Sequence, residues 1–548
     1  MSKSTVVTTT SFNAAALQGL SDTALSQQAI ELAKVILENA IRQQSLAERY
    51  QAWKMSRMME DPAGKALTLA LSDQVFRPVS HRRSADQFRH LIDQYGVPAY
   101  LPLHERVGMK LGAIASRFAP SIVMPAVSQK LRSESAAVIL PSEDAKLKPH
   151  LAKRKREKTR MNINQLGEAI LGEHEAENRI QQVLDRLSSP DCEYISVKIS
   201  AIFSQINLVA YEQTLEQIKA RIRRLYRCAI EHTCTNDAGA VGPKFVNLDM
   251  EEYRDLRLTC DAFKQVLEEE AFAQLPAGIV LQAYLPDSHP VQIELTEWAT
   301  QRTASGKAGI KIRIVKGANL AMETVDASIH HWPMAPYGTK REVDANYKRM
   351  VHYGCRMENA RSVRLGIASH NLFEVAYSLL LRTREGVEEF VEIEMLEGMA
   401  NHQARAVQEF AGGMLRYAPV VKKEDFHSAI SYLVRRLDEN THEENFLHDI
   451  FGMQPGCPKW TKQKALFLAA CEIKDSVQHT PNRVQDRANQ TFTADDRKAF
   501  HNSPDTDWSL RRTAQWITAK IEAMRESEHP TVPLQIGGET RTTRTLGQ

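Results

Sequence analysis

Residues 161–455 predict a (β/α)8 TIM-like barrel in the α/β class, with an N-terminal all-helical arm before it, and three observations carry that prediction. From Met161 onward, short β-branched or apolar runs alternate with longer helical patterns, the order expected of a parallel sheet with crossover helices. The runs number eight: MNINQLG, YISVKISAIF, KFVNLDM, GIVLQAYL, KIRIVKGAN, VRLGIASH, VEIEMLEGM and MLRYAPV. Polar side chains gather late in these runs or just past them, at Lys198, Asp249, Gln282, Tyr284, Lys316, Ser369, His370, Glu397 and Tyr417, where a barrel collects its chemistry. The region spans roughly 290 residues, which suits a fold of about 250. A doubly wound open sheet is the structural alternative, and no G-x-G-x-x-G follows the first run.

Each segment has its own signal. After a polar first dozen residues, Ala24 to Ser72 reads helical, with apolar positions recurring at three and four in LSQQAIELAKVILENAIRQQ and no proline before Pro62. Helical patterns continue to about Pro125. The stretch SEDAKLKPHLAKRKREKTR, Ser142 to Arg160, is basic and has no aromatic residue for stacking, so a solvated connector or helix surface is expected there rather than a nucleic-acid contact. Between the strand-like runs lie helical stretches such as AYEQTLEQIKARIRRLYRCAIEH and REVDANYKRMVHYGCRMENA. Beyond about Pro455 the pattern stops. PDTDWSLRRTAQWITAKIEAMRE then reads as a helix with Asp and Ser capping candidates, and HPTVPLQIGGETRTT as a short strand ending in a Gly-Gly turn. The expected organisation is an arm with its basic connector over 1–160, the barrel over 161–455, and a linker with the incomplete start of a further module over 456–548.

Composition narrows the class. A chain of 548 residues with 43% apolar and 25% charged residues is globular and long enough for two or three units. Lys and Arg total 70 against 67 Asp and Glu, so the net charge of +3 implies no polyanion partner. The seven cysteines are odd in number, scattered and never in C-x-x-C, which suggests neither a disulfide framework nor a zinc ribbon and fits a cytoplasmic protein. No window approaches eighteen uninterrupted apolar residues, so any membrane contact would be peripheral. Neither H-E-x-x-H nor a Ser/His/Asp signature is present, and no metal is expected.

In SYLVRRLDEN, residues Tyr432, Arg435, Arg436 and Glu439 share one helical face. Two adjacent guanidinium forks suit a small carboxylate, although a solvated face of Arg/Glu pairs has the same spacing. Lys198 stands in an otherwise apolar run, where an ammonium needs a carboxylate partner; Glu439 or a substrate carboxylate is the expected one. Asp249 ends NLDM before a helix and could be an N-cap alone.

The ordered motifs VKIS, NLDMEE, LQAYLPDS, RIVKGAN, YGTKREVDANY, ASHN, EMLEGM, RYAPV and YLVRRLDEN resemble those of proline dehydrogenases, in the version found in bifunctional proline utilisation A proteins. The resemblance covers about Asn162 to Phe446, and PDTDWSL and VPLQIGGE look like the opening of that family's aldehyde dehydrogenase module, so the chain is expected to stop before most of it. It implies FAD-dependent oxidation of L-proline to 1-pyrroline-5-carboxylate, by hydride transfer to flavin N5. This is the first step of proline catabolism to glutamate, with electrons passed to a quinone. Implied surroundings are the cytoplasm, with any membrane association peripheral at its inner face, and an aldehyde dehydrogenase partner for the product. In this resemblance Arg435 and Arg436 hold the substrate carboxylate, Tyr417 packs on the proline ring, and Lys198, Asp249 and Glu439 belong to the catalytic pocket. Glu168 pairs with the first arginine when the pocket closes, which would exclude water. Tyr432, one turn before Arg435, fits a packing role equally well and stands outside that set.

For FAD, the resemblance implies Arg313 near flavin N5 and Gln282 at the isoalloxazine edge. Val315, Lys316, Gly317 and Ala318 form a turn whose glycine permits close backbone approach, Lys340 supplies a cation for the pyrophosphate, and Ser369, His370 and Asn371 match an element on the FAD side. Three features depart from the pattern: KGANLAME lacks the usual aromatic pair and acid, Glu397 replaces a common histidine and leaves its part open, and about three extra residues lie in VVKKEDFHSAI. The rival readings are a non-catalytic flavoprotein, a DNA-binding regulator of proline utilisation or another flavin barrel. MSKSTVVTTTSF lacks the basic ribbon-helix-helix that the regulator needs.

Overall fold

The computed structural model describes residues 7–8, 11–76, 78, 80–135, 138–167, 170, 172–235, 239–429, 432, 445–490, 502–526 and 533–542. Eight parallel strands form its centre: β1 (Thr159–Gln165), β2 (Tyr194–Lys198), β3 (Phe245–Asp249), β4 (Gly278–Gln282), β5 (Ile310–Val315), β6 (Val363–Ala368), β7 (Val391–Leu396) and β8 (Met414–Val421). Each of the eight sequence runs supplies one strand. β8 pairs with β7 on one side and β1 on the other, which closes the sheet into a (β/α)8 barrel. A two-residue strand, Leu140–Pro141, adds to the end of β8 in parallel and was not legible in the sequence.

Three strands alternate strictly between polar and apolar residues: Asn162-Ile163-Asn164, Lys311-Ile312-Arg313 and Glu392-Ile393-Glu394. In a strand this period turns the isoleucines outward to the helix layer and the polar side chains into the barrel. All three isoleucines are buried. The barrel interior is therefore unusually polar for a fold normally filled by layers of branched aliphatics.

The arm begins with α1 (Asp22–Arg42), capped by Ser21, whose buried face of Leu25, Ala29, Leu32, Ile36 and Ala40 packs against barrel helices Leu372–Arg384 and Asn401–Ala411. The helical stretch expected over 24–72 is divided at Ser45, which forms a capping box with Glu48 and starts a new helix, Leu46–Met59. Pro62 opens the next helix at a position where its missing N–H costs nothing. Leu67, Val75, Phe88, Leu91 and Met124 form a small core of their own among the arm helices. The basic stretch is mostly a helix, Asp144–Arg156. Following the barrel, helix Pro458–Ile473 packs Trp460 and Phe467 on Phe373, and Lys474 meets Asp22 of α1 at 2.7 Å. The expected late elements are present as helix Arg511–Glu526 and an exposed hairpin, Leu534–Ile536 with Glu539–Arg541, turned at Gly537 and Gly538. Among the described residues, no helix is long and apolar enough to cross a membrane.

Candidate active site

At the carboxyl end of the barrel, Asp249 is the point of convergence. Its Oδ2 accepts from the Tyr417 hydroxyl at 2.9 Å and from Asn164 Nδ2 at 3.3 Å, and its Oδ1 accepts from Asn247 Nδ2 at 2.9 Å. Arg313 Nη1 lies 3.5 Å from the same carboxylate, with the guanidinium 4.6 Å from the centre of the Tyr417 ring. Asn164 also donates to the Tyr417 hydroxyl. Below this group, Ser196 Oγ accepts from Asn162 at 2.9 Å and from Asn247 at 3.2 Å, extending the polar network down the barrel. Four strands thus contribute to one hydrogen-bonded cluster, a fifth, β5, joins it through the Arg313 ion pair, and strand ends hold it more rigidly than loops would.

Electrostatics fix the charge states. Burial and the Asp249 charge push the Tyr417 phenol well above its ordinary value, so it remains a neutral donor. Burial opposes the charge of Arg313, but Glu394 and Asp249 outweigh it and raise the guanidinium further. The pocket consequently holds a permanent cation beside an aromatic face.

Among the described residues, Lys198 is paired with Glu251, just past the neighbouring strand β3. Its Nζ stands 2.6 Å from Glu251 Oε1, and Ser200 holds the other oxygen of Glu251 at 2.8 Å. Lys198 and Asp249 are register partners on β2 and β3, so the carboxylate two residues past Asp249 is the near one. Glu439, Arg435, Arg436 and Glu168 lie outside the described residues. Tyr432 packs with Ile139, Leu166, Val421 and Ala429.

A second cluster follows β5. Gly317 has φ +124°, and a Cβ there would stand 2.6 Å from Tyr284 Cδ1, so the turn after Lys316 requires glycine. Lys316 Nζ is 2.6 Å from Asp344 and 3.5 Å from Glu374, Lys340 Nζ is 2.5 Å from Asp344, and Lys348 Nζ is 2.7 Å from Glu374. Three ammonium groups share two carboxylates. Burial and the neighbouring Lys316 charge pull Lys340 down to about 8 despite the attraction of Asp344. Val315 and Ala318 flank this turn. Gln282 Nε2 donates to the Glu251 carbonyl at 3.3 Å, His370 Nε2 accepts from the Leu396 amide at 2.9 Å, and Ser369 Oγ accepts from the Asn371 amide at 3.1 Å. Asn371 also caps helix Leu372–Arg384, accepting from Phe373 and Glu374. His370 and Asn371 therefore each have a structural duty beyond any cofactor contact.

Glu397 is committed elsewhere. Its carboxylate lies 3.1 Å from His150, 3.0 Å from Arg154 Nε and 3.1 Å from Arg416, which alternation turns to the opposite face of β8 from Tyr417. Burial opposes its charge, yet these partners hold the carboxyl at about 2. The basic stretch accordingly docks through Arg154 rather than standing free.

Comparison with known proteins decides the family: residues 147–449 match the proline dehydrogenase family. The chain belongs to that family. Among solved structures, proline utilisation A from Corynebacterium freiburgense is 41% identical, with a TM-score of 0.60 over 71% of this chain and 36% of its own. Proline utilisation A from Bdellovibrio bacteriovorus, 24% identical, has a TM-score of 0.73 over 95% of this chain and 50% of its own, a likeness of fold. The bifunctional protein PutA of Klebsiella aerogenes is 27% identical over 264 residues, 47% of this chain. The matched stretch spans 19% of that relative's length. The proline dehydrogenase match encloses all eight strands and both charged clusters.

Asn164, Asn247, Ser196, Glu251, Glu394, Asp344, Lys348 and Glu374 are the site residues that sequence reading missed. For Asn164 and Glu394 a signal existed in the polar-apolar alternation of their strands. For Asp344 and Glu374, both on helices, spacing gave none.

Proposed function

We propose that the barrel oxidises L-proline to 1-pyrroline-5-carboxylate with FAD, opening proline catabolism to glutamate, and passes the electrons to a quinone. The observation that carries this reading is the Asp249–Tyr417–Arg313 cluster: an aromatic face, a buried cation and a carboxylate meeting at the carboxyl ends of three strands. Tyr417 would pack on the proline ring, and its hydroxyl, tied to Asp249 and Asn164, cannot swing away. Arg435 and Arg436 would grip the substrate carboxylate and fix the ring's orientation, which is the main requirement for a hydride transfer. Lys198, Glu439 and Glu168 would complete the pocket and close it to water.

The second cluster fits FAD. Lys316, Lys340 and Lys348 outnumber Asp344 and Glu374 by one positive charge, which one of the two negative charges of a diphosphate would neutralise. Gly317 leaves its turn bare of side chain, and Arg313, Gln282, Val315, Ala318, Ser369, His370 and Asn371 surround the same strand ends. When bound, FAD supplies the hydride acceptor. Residues 1–160 would serve as arm and connector, 161–455 as the dehydrogenase, and 456–548 as linker and beginning of an aldehyde dehydrogenase module acting on the product. A cytoplasmic protein touching the inner face of the membrane peripherally would meet a quinone there.

Two expected results test this reading. Arg435→Met or Arg436→Met should raise KM for proline about 30-fold or more while FAD content changes little, since a buried charge pair is worth roughly 2–5 kcal/mol. Unchanged KM in both variants contradicts it. Lys340, at about 8, should lose its proton as pH rises through that value, so FAD affinity should weaken from pH 7 to 9. The sign follows because the cation binds the diphosphate and the neutral amine does not. Fluorescence titration should show this slope in the native chain and its loss in Lys340→Met.

A further inference from the structure

Beneath the mouth, Lys311 and Arg313 of β5 meet Glu394 of β7 across the intervening strand β6. Arg313 is in register with Gly366 on β6, and Gly366 with Glu392 on β7. A Cβ on Gly366 would collide with the Glu394 carboxylate and stand 2.8 Å from Lys311 Cε, so the bare glycine is what lets side chains two strands apart touch. Glu394 is fully buried. Its Oε1 lies 2.6 Å from Lys311 Nζ and its Oε2 2.9 Å from Arg313 Nε. Lys311 has a second carboxylate, Glu392, at 2.8 Å, whereas the only other anion beside Arg313 among the described residues is Asp249, at the longer 3.5 Å.

We propose that Glu394 is a positioning residue that holds the Arg313 guanidinium against Tyr417 and partly cancels its charge, thereby setting how strongly that cation favours the reduced cofactor. The inference rests on the flavin reading above. Two features separate it from mere packing. Glu394 stands at the Nε edge of Arg313 as an ion-pair partner without a hydrogen bond, while Nη1 faces Asp249 and the guanidinium face lies on Tyr417, so the carboxylate acts on the group through its charge. Glu394 has no water-exposed surface, and among the described residues the cations paired with it, which offset the desolvation cost of its charge, are Lys311 and Arg313.

Glu394→Gln preserves size and an acceptor for Arg313 while deleting the charge. In the full chain, spectroelectrochemical titration should show the bound flavin's midpoint potential moved to a more positive value, because the less compensated cation stabilises the electron-richer form. Thermal unfolding should show a loss of stability. Adding Lys311→Met should restore much of that stability, by removing the other buried cation, while the potential stays raised; this double variant also carries the test should Glu394→Gln fold poorly. A potential unmoved in flavin-loaded variants overturns the inference alone, as does one that returns to the native value in the double variant. A native chain that takes up no flavin overturns the function and the inference together.

Discussion

Asp249→Ala should lower kcat/KM for proline at least about 100-fold, the order expected when a positioned group is displaced by about an ångström. The carboxylate accepts from Tyr417, Asn164 and Asn247 and faces Arg313, so its loss frees the phenol and leaves a buried guanidinium with one anion fewer. Removing one partner of a buried charge pair costs roughly 3–5 kcal/mol of stability, which Glu394 should limit to the lower end here. Asp249→Asn should keep the fold and an acceptor for Tyr417 while losing the charge, and should fall between the native chain and the alanine variant. Steady-state kinetics with chemical denaturation check both parts. An alanine variant with native kcat/KM would mean that the cluster lies outside the reacting pocket.

Gly317→Ala should have the second large effect, this time on the cofactor. The residue's φ of +124° is strained for any L side chain, and the new methyl group would press on the buried Tyr284 ring. Strain of this kind costs about 1–3 kcal/mol. If the turn cradles FAD, its affinity should fall roughly 10- to 100-fold, by the usual conversion of about 1.4 kcal/mol per decade. The flavin-to-protein absorbance ratio after gel filtration reads this directly. Gly306→Ala, which imposes the same kind of positive-φ strain (φ +81°) in the loop before β5, should leave that ratio near the native value.

Much of the barrel was legible because parallel strands and crossover helices leave different periods in sequence, and all eight runs became strands. The alternation in Asn162-Ile163-Asn164, Lys311-Ile312-Arg313 and Glu392-Ile393-Glu394 even announces a polar interior. What alternation cannot say is which inward side chains meet. That depends on the stagger between strands and on gaps such as Gly366, through which Glu394 reaches Lys311 and Arg313. The partner of Lys198 illustrates the same limit: its need for a carboxylate followed from one strand, but Glu251 became the near choice only once β2 and β3 were in register. Glu397 shows the opposite case. It occupies a motif position associated with the cofactor side, yet His150, Arg154 and Arg416 engage it, because a helix before the barrel brings two bases to it. The break of the arm at Ser45 was present in the letters, as Ser45 and Glu48 form a capping box.

The polar interior also explains why chemistry and stability are tied together in this chain. Asp249, Arg313 and Glu394 form one continuous ion-paired path from the mouth to the middle of the barrel. Substitutions along it should therefore be compared with isosteric neutral variants before any loss of rate is assigned to catalysis.

This barrel is expected to remove electrons from proline and to place them on a bound flavin. The purified chain, loaded with FAD and made anaerobic, should show an oxidised flavin spectrum that bleaches when L-proline is added and returns with a quinone. A chain that binds no flavin, or whose flavin remains oxidised in excess L-proline, contradicts it.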